Sequence, residues 1–536
     1  MSAISAGAVT NQIRRAGYST VYDLFVANAR ARPEALALIQ DDRVFDYHTL
    51  HERVCRLAAA LARMGIERGG VIALLSENRH EYVVIQLAAA RLGAVVACQN
   101  WRLSPSELRH CILLVDPRLL IVSARHAAKA EETGLELRSI NVDEDFEALL
   151  AETDPTQAPA PAAEAEDPLI VLYTSGTTGL PKGAAISHRA EIARMAALRM
   201  DIRSTEEDGF IAWAPMFHMG STDQMLGALM SGAIVHIVDG FDVGRIVDIM
   251  ERYLLGWLLL MPGSIEPVVD LLSQRGNRPR GIRAIGAMAD LVPLKLIAEL
   301  TQLTGAPYLN SFGSTETGLP PASSMLIAPG TIPQTLSKHK SSLCDVRLID
   351  ADGADVPDGQ PGEVAVRGPT VFSGYWDAEA TNARDFTDGW FRMGDLFRRN
   401  PDGSFDFVDR AKYMIKSGGE NIYPAEIERV LLADPRIKDA IIVRRADPTW
   451  GEVPVAFIAP AGDGLTPEDV EHLCRRSLAG YKRPKAIHFI RIEDFPRSTT
   501  GKIVRHEMER LYRTGLISGC ALPDSPCAGQ DGKEPQ

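Results

Sequence analysis

The run Val171-Leu172-Tyr173-Thr174-Ser175-Gly176-Thr177-Thr178-Gly179-Leu180-Pro181-Lys182-Gly183 decides how the rest of the chain is read. An apolar strand, 169–173, empties into a loop holding four hydroxyls, three glycines and one lysine. Glycines let backbone N–H groups approach an anion closely, and successive N–H groups form an anion-binding nest. The hydroxyls add donors and Lys182 adds a compact charge. That chemistry suits a polyphosphate. The spacing departs from G-x-x-x-x-G-K-[ST], so this is a different phosphate loop. An ordinary surface turn is the plain alternative, but between Thr174 and Gly183 only Leu180 and Pro181 are unsuited to phosphate.

On both sides of this loop short apolar runs alternate with amphipathic stretches. Upstream the pattern predicts helices 21–30 and 50–64 around a hairpin at 36–47. Strand 71–75, helix 80–91, strand 94–98, helix 106–115 and strand 119–122 follow. Downstream it predicts strands 210–214, 234–238, 257–261, 282–286 and 307–310, separated by helices 222–230, 244–253, 264–274 and 293–304. Such alternation signals βαβ units and parallel sheets. Residues 153–167, rich in Pro, Ala and Glu, read as a flexible linker. From Leu343 the period shortens to two and Asp-Gly turns appear at 352–353, 358–359, 388–389 and 402–403, predicting an antiparallel region. Past Asp409, helices 424–433, 467–477 and 502–512 with strands 439–444, 453–459 and 486–492 form a small α+β unit.

The fold class expected is therefore α/β: a large N-terminal domain of two αβ-sheet subdomains plus a small β subdomain, followed by a small mobile α+β C-terminal domain. The boundaries expected are a disordered leader at 1–19, the large domain at 20–410, the small one at 411–514, and a disordered tail at 515–536. A chain of 536 residues is too long for one core, and 46% hydrophobic with 24% charged residues is ordinary globular composition. A net charge of −13 without a basic block argues against nucleic acid. No apolar run suffices to cross a bilayer, and 1–19 lacks a signal-peptide core. Seven scattered cysteines without C-x-x-C argue against disulfides or zinc and for a reducing cytoplasm.

Five further blocks matter. Ser311-Phe312-Gly313-Ser314-Thr315-Glu316-Thr317-Gly318 follows a predicted strand. Asp388-Gly389-Trp390-Phe391-Arg392-Met393-Gly394-Asp395 precedes Asp409-Arg410-Ala411-Lys412. Lys416-Ser417-Gly418-Gly419-Glu420-Asn421-Ile422 comes next, and Pro496-Arg497-Ser498-Thr499-Thr500-Gly501-Lys502 closes the set. Together with the phosphate loop these resemble the adenylate-forming superfamily of acyl- and aryl-CoA synthetases, luciferases and peptide-synthetase adenylation domains, most closely the acyl-CoA synthetases. The resemblance runs from about Tyr22 to about Leu511.

It implies ATP, Mg²⁺ and coenzyme A as cofactor and co-substrates, and a two-step reaction through an acyl-adenylate. By the same resemblance, Thr174, Ser175, Gly176, Thr177, Thr178, Gly179 and Lys182 hold the phosphates, with Gly313 and Thr315. Glu316 and Thr177 hold Mg²⁺, the hard cation that suits oxygen ligands. Phe312, where the family usually has tyrosine, stacks on adenine. Asp395 takes the ribose hydroxyls, as an ionised carboxylate can, and Arg410 touches ribose or phosphate. Lys412 is the hinge. Lys416, Gly418 and Gly419 line the thiol tunnel, and Lys502 bridges carboxylate and α-phosphate. His218, with Met219, borders the reacting carboxyl, so the expected catalytic set is Lys502, His218, Thr177 and Glu316. Ala287 and Met288 floor the acid pocket. No aspartate stands where amino-acid-adenylating relatives hold an ammonium, and Trp213, Met216, Phe217 and Met219 are apolar. An uncharged hydrophobic acid is expected: medium- or long-chain, aromatic or cyclic. Loading of a carrier protein, and a non-catalytic nucleotide-binding relative, are the alternatives. No nucleic-acid partner or membrane segment is expected, and a homodimer is left open.

Overall fold

The structure is a computed structural model describing residues 13, 15–174, 180–418, 420–497 and 503–517. It divides into two compact units, Met1–Met393 with Arg398–Asp406, and Gly394–Phe397 with Phe407–Gln536.

The first unit is built on parallel sheets. One has six strands in the order Ser139–Asn141, Leu119–Val122, Val71–Leu75, Val95–Cys98, Pro168–Thr174 and Lys182–Ser187. Its central strands are buried along their whole length, as continuous apolar runs between covering helices should be. The last pair is antiparallel, Thr174 lying opposite Lys182. The two strands that flank residues 175–179 in the sequence are thus paired with each other.

A second sheet joins Arg43–Asp46, Leu36–Gln40, Val235–Ile237 and Phe210–Ala212. The early hairpin therefore completes a sheet whose other strands lie far along the chain. A third sheet, Leu254–Leu258, Gly281–Ile285, Tyr308–Leu309 and Leu326–Ile327, is linked to it by the Gly209–Leu255 bridge. The expected antiparallel region is present from Asp345–Ile349 onward. At its Asp388-Gly389 turn both residues have positive φ (51° and 80°), the twist a two-residue hairpin between Thr387 and Trp390 requires.

Two expectations are corrected. The stretch 153–167 is no loose linker: Arg56 donates to the Thr153 carbonyl (2.8 Å), Arg91 to that of Pro159 (3.0 Å), and Arg68 pairs with Asp167 (2.7 Å). Arginines on neighbouring elements satisfy carbonyls that a proline-rich segment cannot pair itself. The helix expected at 222–230 begins earlier, at Met219, with His218 as its N-cap.

The second unit centres on the long hairpin Ile437–Asp447/Gly451–Pro460. Alternate residues face opposite ways. Ala440, Ile442, Ala456 and Ile458 pack with Ile427, Leu431, Val470 and Cys474. Ile441, Val443, Val455 and Phe457 pack with Phe495, Met508, Tyr512 and Ile517.

Burial holds several histidines neutral. His188 is fully buried and its Nδ1 accepts the Val21 N–H (3.2 Å). Desolvation lowers it from 6.5 to about 4. The unfolded chain takes up this proton below 6.5 and the folded chain does not, so stability present above 6.5 is lost as pH falls toward 4. His188→Asn keeps an acceptor and cannot charge. Its stability relative to the parent should improve by about 1.4 kcal/mol per pH unit across that window. Denaturant melts at pH 7, 6 and 5 measure this, and a pH-independent difference would refute it.

Candidate functional site

In the first unit, strand Lys182–Ser187 carries Lys182 at its start, opposite Thr174. The Lys182 ammonium lies 5.0 Å from the centre of the Tyr375 ring. Gly183 must be glycine: an added Cβ would sit 2.8 Å from Val171, and the Gly183 carbonyl takes the Trp376 N–H (2.7 Å). Ser175, Gly176, Thr177, Thr178 and Gly179 lie outside the described residues.

The block around Glu316 is a tight hairpin of Gly313–Ser314 with Gly318–Pro321. A Cβ on Gly313 would meet the Gly318 carbonyl at 2.0 Å, so the turn closes only with glycine there. Ser314 Oγ accepts the Glu316 N–H (3.2 Å), and Thr317 Oγ1 donates to the Pro320 carbonyl (2.6 Å). Arg194 donates to the Thr315 carbonyl (3.1 Å) and the Phe372 N–H donates to that of Glu316 (2.8 Å). The Tyr375 hydroxyl donates to Glu316 Oε1 (2.8 Å). Burial, then the Glu316 charge, raises the Tyr375 pKa, which keeps that proton on the phenol. Phe312, only 7% exposed, is held by its backbone against Ala322 and Ser323.

His218 is half-buried at the mouth of helix Met219–Met230. Its Nδ1 accepts the Gly220 N–H (3.1 Å), so in the neutral ring Nε2 carries the proton. Buried Asn78 fixes the approach to this turn, donating to the Ala212, Ala214 and Val238 carbonyls and accepting from Met216 N–H (2.8 Å). Trp213, Met216, Phe217 and Met219 are buried apolar residues here. Ala287 and Met288 are half-buried, following Gly286, whose φ of +96° and closeness to the Tyr308 ring exclude a side chain.

A charged cluster behind these loops was invisible in the sequence. Arg194 and Asp223 form a 3.2 Å ion pair with neither side chain exposed. Beside them Glu191 is fully buried, and neither carboxyl oxygen has a hydrogen-bond partner among the described residues. Burial, then Asp223, raises the Glu191 pKa well above the usual range, and burial pushes Asp223 up to about 6. One guanidinium cannot neutralise two acids, so one stays protonated. Arg194 also donates to the Thr370 carbonyl (3.0 Å). It therefore ties helix Met219–Met230 to the loop carrying Thr315 and Glu316.

In the second unit, Asp395 is almost fully buried and accepts from Arg410 Nε (3.0 Å). Lys412 lies in the one-turn helix Ala411–Tyr413, its carbonyl accepting from Arg444 (2.6 Å). Lys416 is exposed on strand Ile415–Ser417. Gly418 has φ +58°, and a Cβ there would lie 2.6 Å from the Trp450 ring. Gly419 and Lys502 lie outside the described residues. Tyr375, Arg194 and Trp450 were not foreseen: each meets neighbours remote in sequence.

A family model described as AMP-binding enzyme matches residues 25–376, and one for the AMP-binding enzyme C-terminal domain matches 426–502. The indoleacetate–CoA ligase of Aromatoleum aromaticum is 33% identical over 90% of this chain and 96% of its own. The o-succinylbenzoate CoA synthetase of Bacillus subtilis, solved with its acyl-adenylate intermediate, superposes with a TM-score of 0.81 at 26% identity, covering 92% and 98% of the two chains. The same enzyme with ATP and magnesium ion gives 0.80 at 26% identity, covering 91% and 99%.

Proposed function

The chain belongs to the AMP-binding enzyme family, and from that premise we propose that it is an AMP-forming acid:CoA ligase acting on an aromatic or cyclic hydrophobic acid. The observation that carries this reading is the pairing, on one tyrosine, of the Glu316 carboxylate and the Lys182 ammonium. Opposite charges from two loops are what a magnesium-bound triphosphate needs. The acid class is argued from the apolar residues around His218 and from the acids named for the ligases above.

The donor set fits Mg²⁺: Glu316 Oε1 takes the Tyr375 hydrogen bond, and Oε2 makes none with a described residue. Glu316, with Thr177, would hold the ion, which when bound neutralises phosphate charge. Lys182 steadies the phosphates. Asp395 accepts from the ribose hydroxyls, with Arg410 beside it, and Phe312 packs at the base.

In the first step a carboxylate oxygen attacks the α-phosphorus. The bond to the bridging oxygen breaks and pyrophosphate leaves, while Lys502 offsets the charge building on both anions. His218, with its proton on Nε2, orients the acid without adding a charge. In the second step the CoA thiolate attacks the acyl carbon, the bond to the phosphate oxygen breaks and AMP leaves. We assign the large domain to 20–410 and the small one to 411–514, with Lys412 as the hinge used between the steps. Lys416, Gly418 and Gly419 would border the thiol's path.

Among the described residues no helix is long and apolar enough to cross a membrane, and five cysteines are free and buried. Both fit a cytoplasmic enzyme.

The test is a panel of acids assayed for CoA-dependent AMP release. Arylacetic, cinnamic and cyclic acids should exceed straight-chain acids of equal carbon number by roughly tenfold or more in kcat/KM, the discrimination a shaped apolar pocket supports. Pyrophosphate exchange without CoA-dependent AMP release would favour a carrier-loading enzyme, and no exchange with any acid would end the reading.

A further inference from the structure

The segment after residue 368 does more than connect. The Ser373 and Trp376 N–H groups donate to the carbonyls of Ala185 and Gly183, and Ala185 N–H donates to Gly374. This strap is therefore laced to the strand that begins at Lys182. The Phe372 N–H meanwhile holds the Glu316 carbonyl. Within the strap Tyr375 is clamped three ways. Asn382 accepts from its N–H (2.7 Å) and donates to its carbonyl (2.8 Å). The Phe372 ring packs edge-on against it at 4.9 Å. Gly374, with φ +105°, makes the turn that sets its direction. A side chain so fixed is preorganised, and its hydroxyl and ring face are committed to different partners.

We propose that Tyr375 is a positioning residue for the nucleotide-bound cation. Its hydroxyl fixes one oxygen of Glu316 so that the other is presented to the metal, while its ring face seats Lys182 against the phosphates. The proposal rests on the assignment of Glu316 to Mg²⁺ made above. Partners one shell out from a metal ligand set its orientation, and their loss costs about 10–100-fold in metal affinity.

Mn²⁺ serves as the probe, its free concentration read by electron paramagnetic resonance as it binds full-length protein with α,β-methylene-ATP and no acid. Calorimetry gives nucleotide affinity at saturating Mn²⁺. Tyr375→Phe keeps the ring and should weaken Mn²⁺ roughly tenfold or more, with nucleotide affinity at saturating metal changed less than about threefold. Tyr375→Leu should weaken Mn²⁺ similarly and also cost about two- to fivefold in nucleotide affinity, the worth of an exposed cation–π contact. Glu316→Gln should weaken Mn²⁺ at least as much as Tyr375→Phe. The double variant should be no worse than Glu316→Gln alone, because the tyrosine acts only through the carboxylate.

Unchanged Mn²⁺ affinity in Tyr375→Phe beside a weakened Glu316→Gln would overturn the proposal and leave the metal assignment standing. Unchanged affinity in Glu316→Gln would remove that assignment and the proposal with it. Additive losses in the double variant would also overturn the proposal, since a general disturbance of the fold would explain them.

Discussion

Replacing Lys502 by alanine should slow acyl-adenylate formation by roughly a hundred- to a thousandfold, the range seen when one preorganised charge or donor is taken from a transition state. Two anions must be brought together in that step, and charge builds where the carboxylate oxygen meets the α-phosphate. A lysine on a flexible stem can follow that charge. The thioester step differs: the acyl group is already activated, the carboxylate and the α-phosphate no longer have to be driven together, and AMP departs as a stable anion that carries the negative charge away. Thioester formation from supplied acyl-AMP should therefore remain within about threefold of the parent. Acid-dependent pyrophosphate exchange reads the first step, and consumption of synthetic acyl-AMP with CoA reads the second. Equal losses in both would dismiss the two-step division of labour.

Lys412→Pro should give the opposite pattern. Residues Ala411–Tyr413 form a single 3₁₀ turn; turns of this class have φ of about −50 to −70°, a range that includes the value proline imposes. The carbonyl bonded to Arg444 is kept. The variant should fold and hold this conformation. A hinge works by absorbing φ/ψ change, and a ring locked at φ near −65° absorbs none. Pyrophosphate exchange should stay within about threefold. Thioester formation should drop on the order of a hundredfold, as small misplacements of reacting groups do. An unimpaired second step would mean that residue 412 is not the pivot.

Much of this was legible in the chain. Uninterrupted apolar strands betray a parallel sheet, while the glycine-, hydroxyl- and lysine-rich loops give the expectation of phosphate chemistry that the proposed function takes up. Pairing across long separations was not legible. Nothing around Leu36–Gln40 says that its neighbour is Val235–Ile237. Helix His188–Ile202 escaped notice because His188, Glu191 and Arg194 are buried, so no polar stripe marks its outer face. Residues 153–167 misled because composition reports what a segment cannot pair by itself, and says nothing of arginines elsewhere that do so. Tyr375 is one aromatic among many until Glu316 and Lys182 are placed beside it.

The buried Arg194–Asp223 pair bears on how such enzymes can be re-engineered. Grafting helix Met219–Met230 from a ligase of different substrate range would carry Asp223 away from its arginine, which also grips Thr315 and Thr370. A chimera cut at that helix alone would leave Arg194 with Glu191 as its remaining buried acid and would loosen the Glu316 loop together with the turn at His218. Crossovers that move 188–230, 310–318 and 368–376 as one block keep the salt link and its clients together, and a library designed for new acids should be drawn along those seams.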